Sequence, residues 1–289
     1  MNVMNNVIIV NKESFEKKKA EFKKGGQSKI HILTDFDRTL TKAFSKGKKV
    51  PSFISKLRNG NYISKEYSEK ANELYNKYHS IEISQNIDTK EKSAKMLEWW
   101  TSHYRLLVKS GLNREIIERA VDDMIKDKDI TLREKAREFL KLLDEKNIPL
   151  VIISSSGLGN ALTDFLEKQN SLFNNIHFIG NTLEFDEKGK FIGIKDNKII
   201  HILNKNEAGL KDTTIYKQIK ERKNILLLGD SLADLKMLEG ADYLNFIKIG
   251  FFNYPDEENL EDFKKNFDII ITGDGGFDSI NKLMKEILE

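Results

Sequence analysis

Five short and almost uninterrupted apolar runs constrain the fold of this 289-residue chain more than any other feature. Such runs are typical of strands in a parallel sheet that is covered on both faces, because a strand with one wet face alternates apolar and polar residues. Helical patterns follow the second and third runs, and this alternation predicts an α/β fold with a doubly wound, Rossmann-like parallel sheet. The runs are IHIL (30–33), LVII (150–153), ILLL (225–228), FIKI (246–249) and IIIT (269–272).

The segment between the first two runs, residues 41–147, has an almost wholly helical pattern. A parallel crossover needs only about a dozen residues, so most of this segment is an insertion. Its last helix, with Thr131 as a predicted N-cap, can serve as the crossover. We therefore predict a Rossmann-like core formed by residues 1–45 and 129–289, and a helical cap domain formed by residues 46–128.

Charge and cysteine content narrow the class of protein. The 48 Lys and Arg residues and 45 Asp and Glu residues are interspersed and give a net charge of +3, which argues against a nucleic acid polymer or a membrane as partner. The absence of cysteine fits a reducing compartment. No apolar segment approaches the roughly 20 residues of a membrane span, and we see no signal-peptide pattern. We expect a cytoplasmic protein that is a monomer.

The first apolar run ends in two aspartates, in the stretch HILTDFDRTLT (31–41). Asp35 and Asp37 point to the same side if the extended geometry continues, and Arg38 then points away from them and forms a surface or structural pair. Ligands of open α/β sheets bind beyond the carboxyl ends of the strands, where these aspartates lie. The alternative is an ordinary loop with an Asx turn, and this motif alone does not decide between the two.

Two further runs end in groups that suit a phosphate site. The third run is followed by Asp230 and, four residues later, by Asp234. The alternative, a capped helix start, accounts for Asp230 but gives no reason for Asp234. The second run is followed by three serines and a glycine (154–157), whose backbone N–H groups could bind an anion. An ordinary serine-rich turn is the alternative there.

These groups are more informative together than separately. Four neighbouring carboxylates repel by roughly 4 kcal/mol per pair at about 4 Å and an effective dielectric constant near 20. A hard divalent cation with oxygen ligands removes that cost, and Mg²⁺ is the usual one beside phosphate. Lys205 is a candidate for the cation that neutralises the phosphate, with a solvated surface lysine as the alternative. The sequence therefore predicts a Mg²⁺-dependent phosphate site.

The order of these motifs resembles that of the haloacid-dehalogenase-like phosphohydrolases. The matching residues are Asp35-x-Asp37-x-Thr39, Ser155, Lys205 and Gly229-Asp230-x-x-x-Asp234. Longer segments resemble the cytosolic 5′-nucleotidase III, or pyrimidine 5′-nucleotidase, family, and this resemblance extends from about residue 29 to the C-terminus. The segments are SIEI (80–83), EWWTSH (98–103), SSSGLGN (154–160), HILNKNEAGLKDT (201–213) and ILLLGDSLADLKM (225–237).

The resemblance implies a reaction, namely Mg²⁺-dependent removal of the 5′-phosphate from nucleoside monophosphates, with pyrimidine nucleotides preferred. It implies that Asp35 is the nucleophile, which forms an aspartyl-phosphate, and that Asp37 is the general acid and base. Lys205 would be the third catalytic residue and would also bind the phosphate. Dehalogenases of this superfamily lack the second aspartate, so Asp37 favours phosphate chemistry.

The resemblance also implies the ligands of the metal and the substrate. Asp35 and Asp230 would bind Mg²⁺ through their carboxylates and Asp37 through its backbone carbonyl, while Asp234 would support the metal site. The other implied substrate-binding residues are Ser155 and Ser156 for the phosphate and Glu82 for the nucleobase.

The cap departs from the family pattern at His103, where a small hydroxyl residue is expected near the base. Aromatic residues of the cap could stack on a base, or they could pack between the cap helices. These residues are Tyr78, Trp99, Trp100 and Tyr104.

Three alternative functions remain open from the sequence. A phosphatase of the same superfamily could act on a non-nucleotide phosphomonoester such as phosphoserine or a sugar phosphate. A non-catalytic nucleotide sensor would keep the fold without turnover, although a sensor has no need of Asp37. Phosphotransfer to a nucleoside in place of water is a related possibility.

Overall fold

The computed structural model describes residues 6–84, 86–205, 214–240, 242–255 and 258–289. The strands are β1 (Val7–Ile9), β2 (Ile30–Thr34), β3 (Phe44–Ser45), β4 (Lys48–Lys49), β5 (Leu150–Ile153), β6 (Ile176–Ile179), β7 (Leu183–Phe185), β8 (Phe191–Ile194), β9 (Asn224–Gly229), β10 (Asn245–Phe252) and β11 (Ile269–Thr272). The helices are α1 (Lys12–Gly25), α2 (Phe53–Asn59), α3 (Lys65–Ile83), α4 (Thr89–Lys109), α5 (Arg114–Lys126), α6 (Ala136–Glu145), α7 (Gly159–Lys168), α8 (Thr214–Ile219), α9 (Leu260–Asn266) and α10 (Asp278–Leu288).

The central sheet has the strand order β1-β11-β10-β9-β2-β5-β6, and every pairing except that of β1 with β11 is parallel. All five predicted runs are strands of this sheet, so the α/β fold class is confirmed. The antiparallel edge strand β1, the parallel strand β6 and the two small hairpins, β3–β4 and β7–β8, were not predicted.

Both faces of the sheet are covered, as the uninterrupted apolar runs indicate. Ile32 of β2 belongs to a large core cluster that includes Phe139 of α6 and Phe165 of α7. Leu33, the next residue, belongs to a second cluster with Ile219 of α8. Each fully buried aliphatic side chain contributes roughly 1.5–3 kcal/mol, so neighbouring residues of one strand stabilise opposite layers of the fold.

The helical insertion that was predicted as a cap consists of α2 to α5, which lie between β4 and β5 in the chain, and we call these four helices the cap. Helix α3 packs on α4, and α2 packs on α3 and α5. The insertion also contacts elements that follow β5, because α4 packs on β8 and α5 packs on α7. The boundaries at residues 45/46 and 128/129 stay a prediction. Among the described helices, none combines the length and the apolar character needed to cross a membrane.

The crossover helix does not begin at Thr131, and that prediction was wrong. Helix α6 begins at Ala136, preceded by Lys135 in the left-handed region. The backbone before it is extended, because Thr41 and Leu132 form an antiparallel bridge and the Thr131 carbonyl accepts a hydrogen bond from the Lys42 N–H at 2.9 Å. Pairing with the turn that follows β2 therefore takes the place of a first helical turn.

Arg133, in this extended segment, is buried and its guanidinium joins distant parts of the core. It forms an ion pair with Asp274 at 3.0 Å and donates to the carbonyls of Thr39 at 3.0 Å and Gly275 at 2.8 Å. It also donates to Asn253 Oδ1 at 2.7 Å. Arg133 thus ties the segment after Asp37 to the carboxyl ends of β10 and β11.

Replacement of Arg133 by Met is expected to lower the free energy of unfolding by about 3–5 kcal/mol, because it leaves the partner carboxylate and carbonyls without their buried donor. Urea denaturation measures this change. Arg137→Met, which removes an exposed arginine of α6, is the matched control and should change stability by less than about 0.5 kcal/mol. Equal midpoints and slopes for the two variants would contradict a structural role for Arg133.

Candidate active site

The sheet topology brings three polar strand ends together. Strand β2 lies between β5 and β9. The strands that follow β2 in the chain are added to the sheet on both sides of it, with β5 and β6 on one side and β9, β10 and β11 on the other. This is the switch point at which open α/β sheets bind ligands. Asp35 beyond β2, Ser154 beyond β5 and Asp230 beyond β9 all line one cavity of about 400 Å³. The cavity extends from these strand ends to the cap helices.

Lys205 lies at the centre of the acidic group. Its Nζ donates to Asp35 Oδ1 at 2.6 Å and to Asp234 Oδ1 at 3.1 Å, and all three side chains are buried. Burial alone would lower the pKa of Lys205, but the charges of Asp234 and Asp35 outweigh burial and raise it. Lys205 is therefore a buried cation, which excludes the solvated surface lysine considered from the sequence.

The carboxylates are more numerous than Lys205 can balance. Oxygens of Asp35, Asp230 and Asp234 lie within 4.8 Å of one another. Burial, with the charges of Asp234 and Asp37, raises the pKa of Asp35 to about 7, although Lys205 opposes the shift. Burial and the charges of Asp234 and Asp35 raise the pKa of Asp230 well above its usual value. A divalent cation at this cluster would stabilise the ionised carboxylates.

Asp234 has a structural role that the sequence did not indicate. Its Oδ2 accepts hydrogen bonds from the N–H groups of Asp230 at 3.1 Å and Ser231 at 3.0 Å, and with Ser231 it completes a capping box. The expectation that a cap gives no reason for Asp234 was wrong. A Cβ at Gly229 would lie 2.5 Å from the Asp234 Cβ, so only glycine permits this approach. Since its Oδ1 accepts a hydrogen bond from Lys205, Asp234 positions both Lys205 and the backbone at Asp230.

Asp37 and Arg38 both line the cavity. Burial raises the pKa of Asp37, while Arg38 and Lys205 oppose the rise, and a raised pKa suits a carboxyl group that must hold a proton. Arg38 was expected to point away from the aspartates because an extended chain alternates sides, and that premise was wrong, since its φ of 61° is in the left-handed region. Its guanidinium carbon lies 5.8 Å from the centroid of the Tyr254 ring, which agrees with a structural pair, and its charge also interacts with those of Asp230, Asp37 and Asp35.

The serine turn after β5 forms a cradle with a free donor. Ser154 Oγ accepts a hydrogen bond from the Ser156 N–H at 3.1 Å. Ser156 Oγ is buried and has no partner among the described residues, and Ser155 is half-buried in the cavity wall. A Cβ at Gly157 would lie 2.4 Å from Trp100 Cζ3, so helix α4 of the cap closes directly against this turn.

The cap supplies the opposite end of the cavity, which Glu82, Trp99, Trp100 and His103 line. Glu82 and His79 share a hydrogen bond of 3.0 Å between Oε2 and Nδ1. His103 Nε2 lies 3.0 Å from the Tyr67 hydroxyl, and burial lowers the pKa of His103 to about 4, so its ring is neutral at pH 7.

The four aromatic residues divide between the two roles considered for them. Trp99 and Trp100 line the cavity and can contact a base. Tyr78 is buried and stacks on Trp99 with ring centroids 5.9 Å apart. Tyr104 is buried and donates to the Gly157 carbonyl at 3.2 Å. Tyr78 and Tyr104 therefore pack within the structure.

Several cavity residues were missed from the sequence. Tyr75, His79 and Glu82 are spaced at i, i+4 and i+7 along α3, and this helical spacing could have placed the first two beside Glu82. Arg58 carries no such signal, because a basic residue in the last turn of a helix is ordinary and only the tertiary fold brings it over Tyr75. The end of the HILNKNEAGLKDT segment, residues 206–213, lies outside the described residues.

A family model, curated proteins and solved structures are similar to this chain. The family model described as pyrimidine 5′-nucleotidase (UMPH-1) matches residues 38–288. The 7-methylguanosine phosphate-specific 5′-nucleotidase A of Xenopus laevis is 34% identical over 94% of this chain and 92% of its own length. The human 7-methylguanosine phosphate-specific 5′-nucleotidase is 34% identical over 92% of this chain and 87% of its own. The crystal structure of cytosolic 5′-nucleotidase IIIB bound to cytidine has a TM-score of 0.87 and 27% identity, covering 98% of this chain and 94% of that one.

Proposed function

This chain belongs to the pyrimidine 5′-nucleotidase (UMPH-1) family and is a 5′-nucleotidase, and on that premise we propose that it hydrolyses nucleoside 5′-monophosphates, pyrimidine nucleotides above all, with Asp35 as nucleophile and Mg²⁺ as cofactor. The observation that carries the proposal is one cavity with two chemically different ends. Acidic groups, Lys205 and the serine turn form one end, and aromatic rings with Glu82 form the other. A phosphate and a base joined by a ribose match these two ends.

In the first step the Asp35 carboxylate attacks phosphorus and the bond from phosphorus to the ribose 5′-oxygen breaks. Asp37, protonated at the start, gives its proton to that oxygen, so the nucleoside leaves as a neutral alcohol. Lys205 stabilises negative charge on the phosphoryl oxygens, and the turn at Ser155 and Ser156 donates hydrogen bonds to them.

In the second step water attacks the phosphorus of the aspartyl-phosphate, and Asp37 accepts the proton that the water loses. The acyl-phosphate bond breaks, inorganic phosphate leaves and the Asp35 carboxylate is restored. The close packing of Trp100 on Gly157 supports the first step, because a closed cap keeps bulk water away while the Asp35 carboxylate attacks.

The acidic cluster fits Mg²⁺ by its chemistry. Oxygens of Asp35 and Asp230 are the ligand type that Mg²⁺ prefers, Asp234 would hold the Asp230 backbone in place, and the backbone carbonyl of Asp37 stays a predicted ligand. When bound, Mg²⁺ would supply positive charge that orients the phosphate and stabilises the charge that develops on it.

A second candidate substrate is 7-methylguanosine 5′-monophosphate, since the relatives from Xenopus laevis and human are named for specificity toward that compound. Phosphate release from cytidine, uridine, guanosine and 7-methylguanosine monophosphates, with phosphoserine, glucose 6-phosphate and p-nitrophenyl phosphate alongside, tests the proposal with and without Mg²⁺. The proposal expects Mg²⁺-dependent release that is fastest from a pyrimidine nucleotide. Faster release from phosphoserine or the sugar phosphate than from every nucleotide would reject it.

Replacement of Glu82 by Ala is expected to raise KM for cytidine monophosphate about tenfold or more, because loss of a charged hydrogen bond to the base costs about 1.5–3 kcal/mol. The KM for p-nitrophenyl phosphate should stay within about twofold, since that substrate has no base. Steady-state kinetics measure both constants. Glu73→Ala, an exposed glutamate of the same helix, is the control. Equal changes for both substrates would exclude base recognition by Glu82.

A further inference from the structure

Arg58, on α2, faces the cap end of the cavity with an incomplete set of partners. Its side chain is buried, with 7% of the residue exposed. The guanidinium carbon lies 3.9 Å from the centroid of the Tyr75 ring, and one terminal nitrogen is 3.5 Å from Ser55 Oγ, the limit of a hydrogen bond. Its Nε is buried and has no hydrogen-bond partner among the described residues.

The charge of Arg58 is not balanced by a paired carboxylate. Among the described residues, no Asp or Glu forms an ion pair with it, and its electrostatic partners are the tyrosines Tyr75 and Tyr67. Of the other ionisable cap residues in the cavity wall, Glu82 shares a hydrogen bond with His79, and His103 is neutral at pH 7. Arg58 is therefore the permanent positive charge of the described cap wall.

We propose that Arg58 is a specificity residue that makes the base end of this cavity favour neutral bases with a carbonyl acceptor over bases that carry a positive charge. The proposal deepens the proposed function and rests on it. A buried donor without a partner makes a strong, charge-assisted hydrogen bond once a carbonyl oxygen is brought to it. Uracil, cytosine and guanine each have such an oxygen.

A base alkylated at the imidazole nitrogen, as in 7-methylguanosine monophosphate, carries a positive charge and would meet the guanidinium of Arg58. Two positive charges about 6 Å apart at an effective dielectric constant near 20 repel enough to lower binding about a hundredfold. On this basis the present chain differs in base preference from the relatives named for 7-methylguanosine phosphate.

Guanosine monophosphate and 7-methylguanosine monophosphate form the sharpest test pair, because they differ by one methyl group and one charge. The measured quantity is the ratio of kcat/KM for the methylated nucleotide to that for the unmethylated one. We expect a ratio well below one for the wild type, and a rise of about 10- to 100-fold in Arg58→Met and Arg58→Gln. Arg58→Lys, which keeps the charge, should give the wild-type ratio. Arg119→Met removes an exposed cap arginine outside the cavity and should do the same.

The same ratio can be measured without turnover, as the dissociation constants of guanosine and 7-methylguanosine determined by calorimetry. A wild type that prefers the methylated compound, or an unchanged ratio in both neutral variants, would overturn the role of Arg58. A different result would contradict the proposed function, namely hydrolysis of p-nitrophenyl phosphate without hydrolysis of any nucleotide. The binding ratio tests Arg58 in that case too. Circular dichroism identifies a variant that does not fold, and the other neutral variant then supplies the result.

Discussion

Asp35→Asn is expected to lower kcat for nucleoside monophosphates by about 10⁴-fold or more, as found when the nucleophile of a covalent mechanism is removed. The amide is nearly the same size as the carboxylate, but it is not a nucleophile and it brings no negative charge to the cation site. Lys205 can keep its hydrogen bond to Asp234 in this variant, so we expect the surrounding structure to stay folded.

Phosphate release measures the loss, and urea unfolding shows whether the variant folds. We expect a single cooperative unfolding transition. Burial raises the pKa of Asp35 to about 7 because it disfavours the charged carboxylate, and a neutral amide of nearly the same size does not carry that cost. Asp122→Asn, which removes an exposed carboxylate paired with Lys168, is the matched control and should keep wild-type kcat. An Asp35→Asn protein with more than a tenth of the wild-type activity would contradict the assignment of Asp35 as the nucleophile.

The parts of this site that were predictable from sequence follow from local patterns. An uninterrupted apolar run marks a strand, and the residue type at its end marks a ligand position. The rule that ligands bind beyond the carboxyl ends of parallel strands made Asp35 and Asp230 candidates for one site, and the family resemblance supplied their expected roles. Their convergence on one cavity agrees with that rule, because β5 and β9 flank β2.

The features that escaped prediction depend on contacts between distant segments. Thr131 has the sequence of a helix cap, but the partner that keeps it extended is the turn after β2. Arg38 follows the period of a strand until a left-handed φ redirects it. Arg58 and Tyr75 belong to different helices, and nothing local relates them. In each case tertiary packing overrides a local preference, as it commonly does near binding sites.

The acidic cluster also predicts how stability depends on pH in the absence of metal. The folded pKa of Asp35, about 7, is above its ordinary value of 3.8, and burial raises the pKa of Asp230 in the same direction. Between about pH 4 and pH 7 the folded state thus binds more protons than the unfolded state, and the free energy of unfolding falls as pH rises. Mg²⁺ binds the ionised carboxylates, so it should stabilise the protein most at the upper end of this window.

Asp230→Asn is expected to remove both the response to Mg²⁺ and the activity. For the wild type at pH 7.5, Mg²⁺ at a hundred times its dissociation constant should add about 2.7 kcal/mol to the free energy of unfolding relative to EDTA. In Asp230→Asn we expect less than about 0.5 kcal/mol and a fall in kcat of at least about a thousandfold, because the cation loses a charged ligand. In EDTA the variant should be at least as stable as the wild type at that pH, since one of the mutually repelling carboxylates is gone.

Thermal and urea unfolding with and without Mg²⁺ measure these differences, and Asp242→Asn, an exposed aspartate paired with Lys223, is the control. Full Mg²⁺ stabilisation of Asp230→Asn would mean that the cation binds elsewhere.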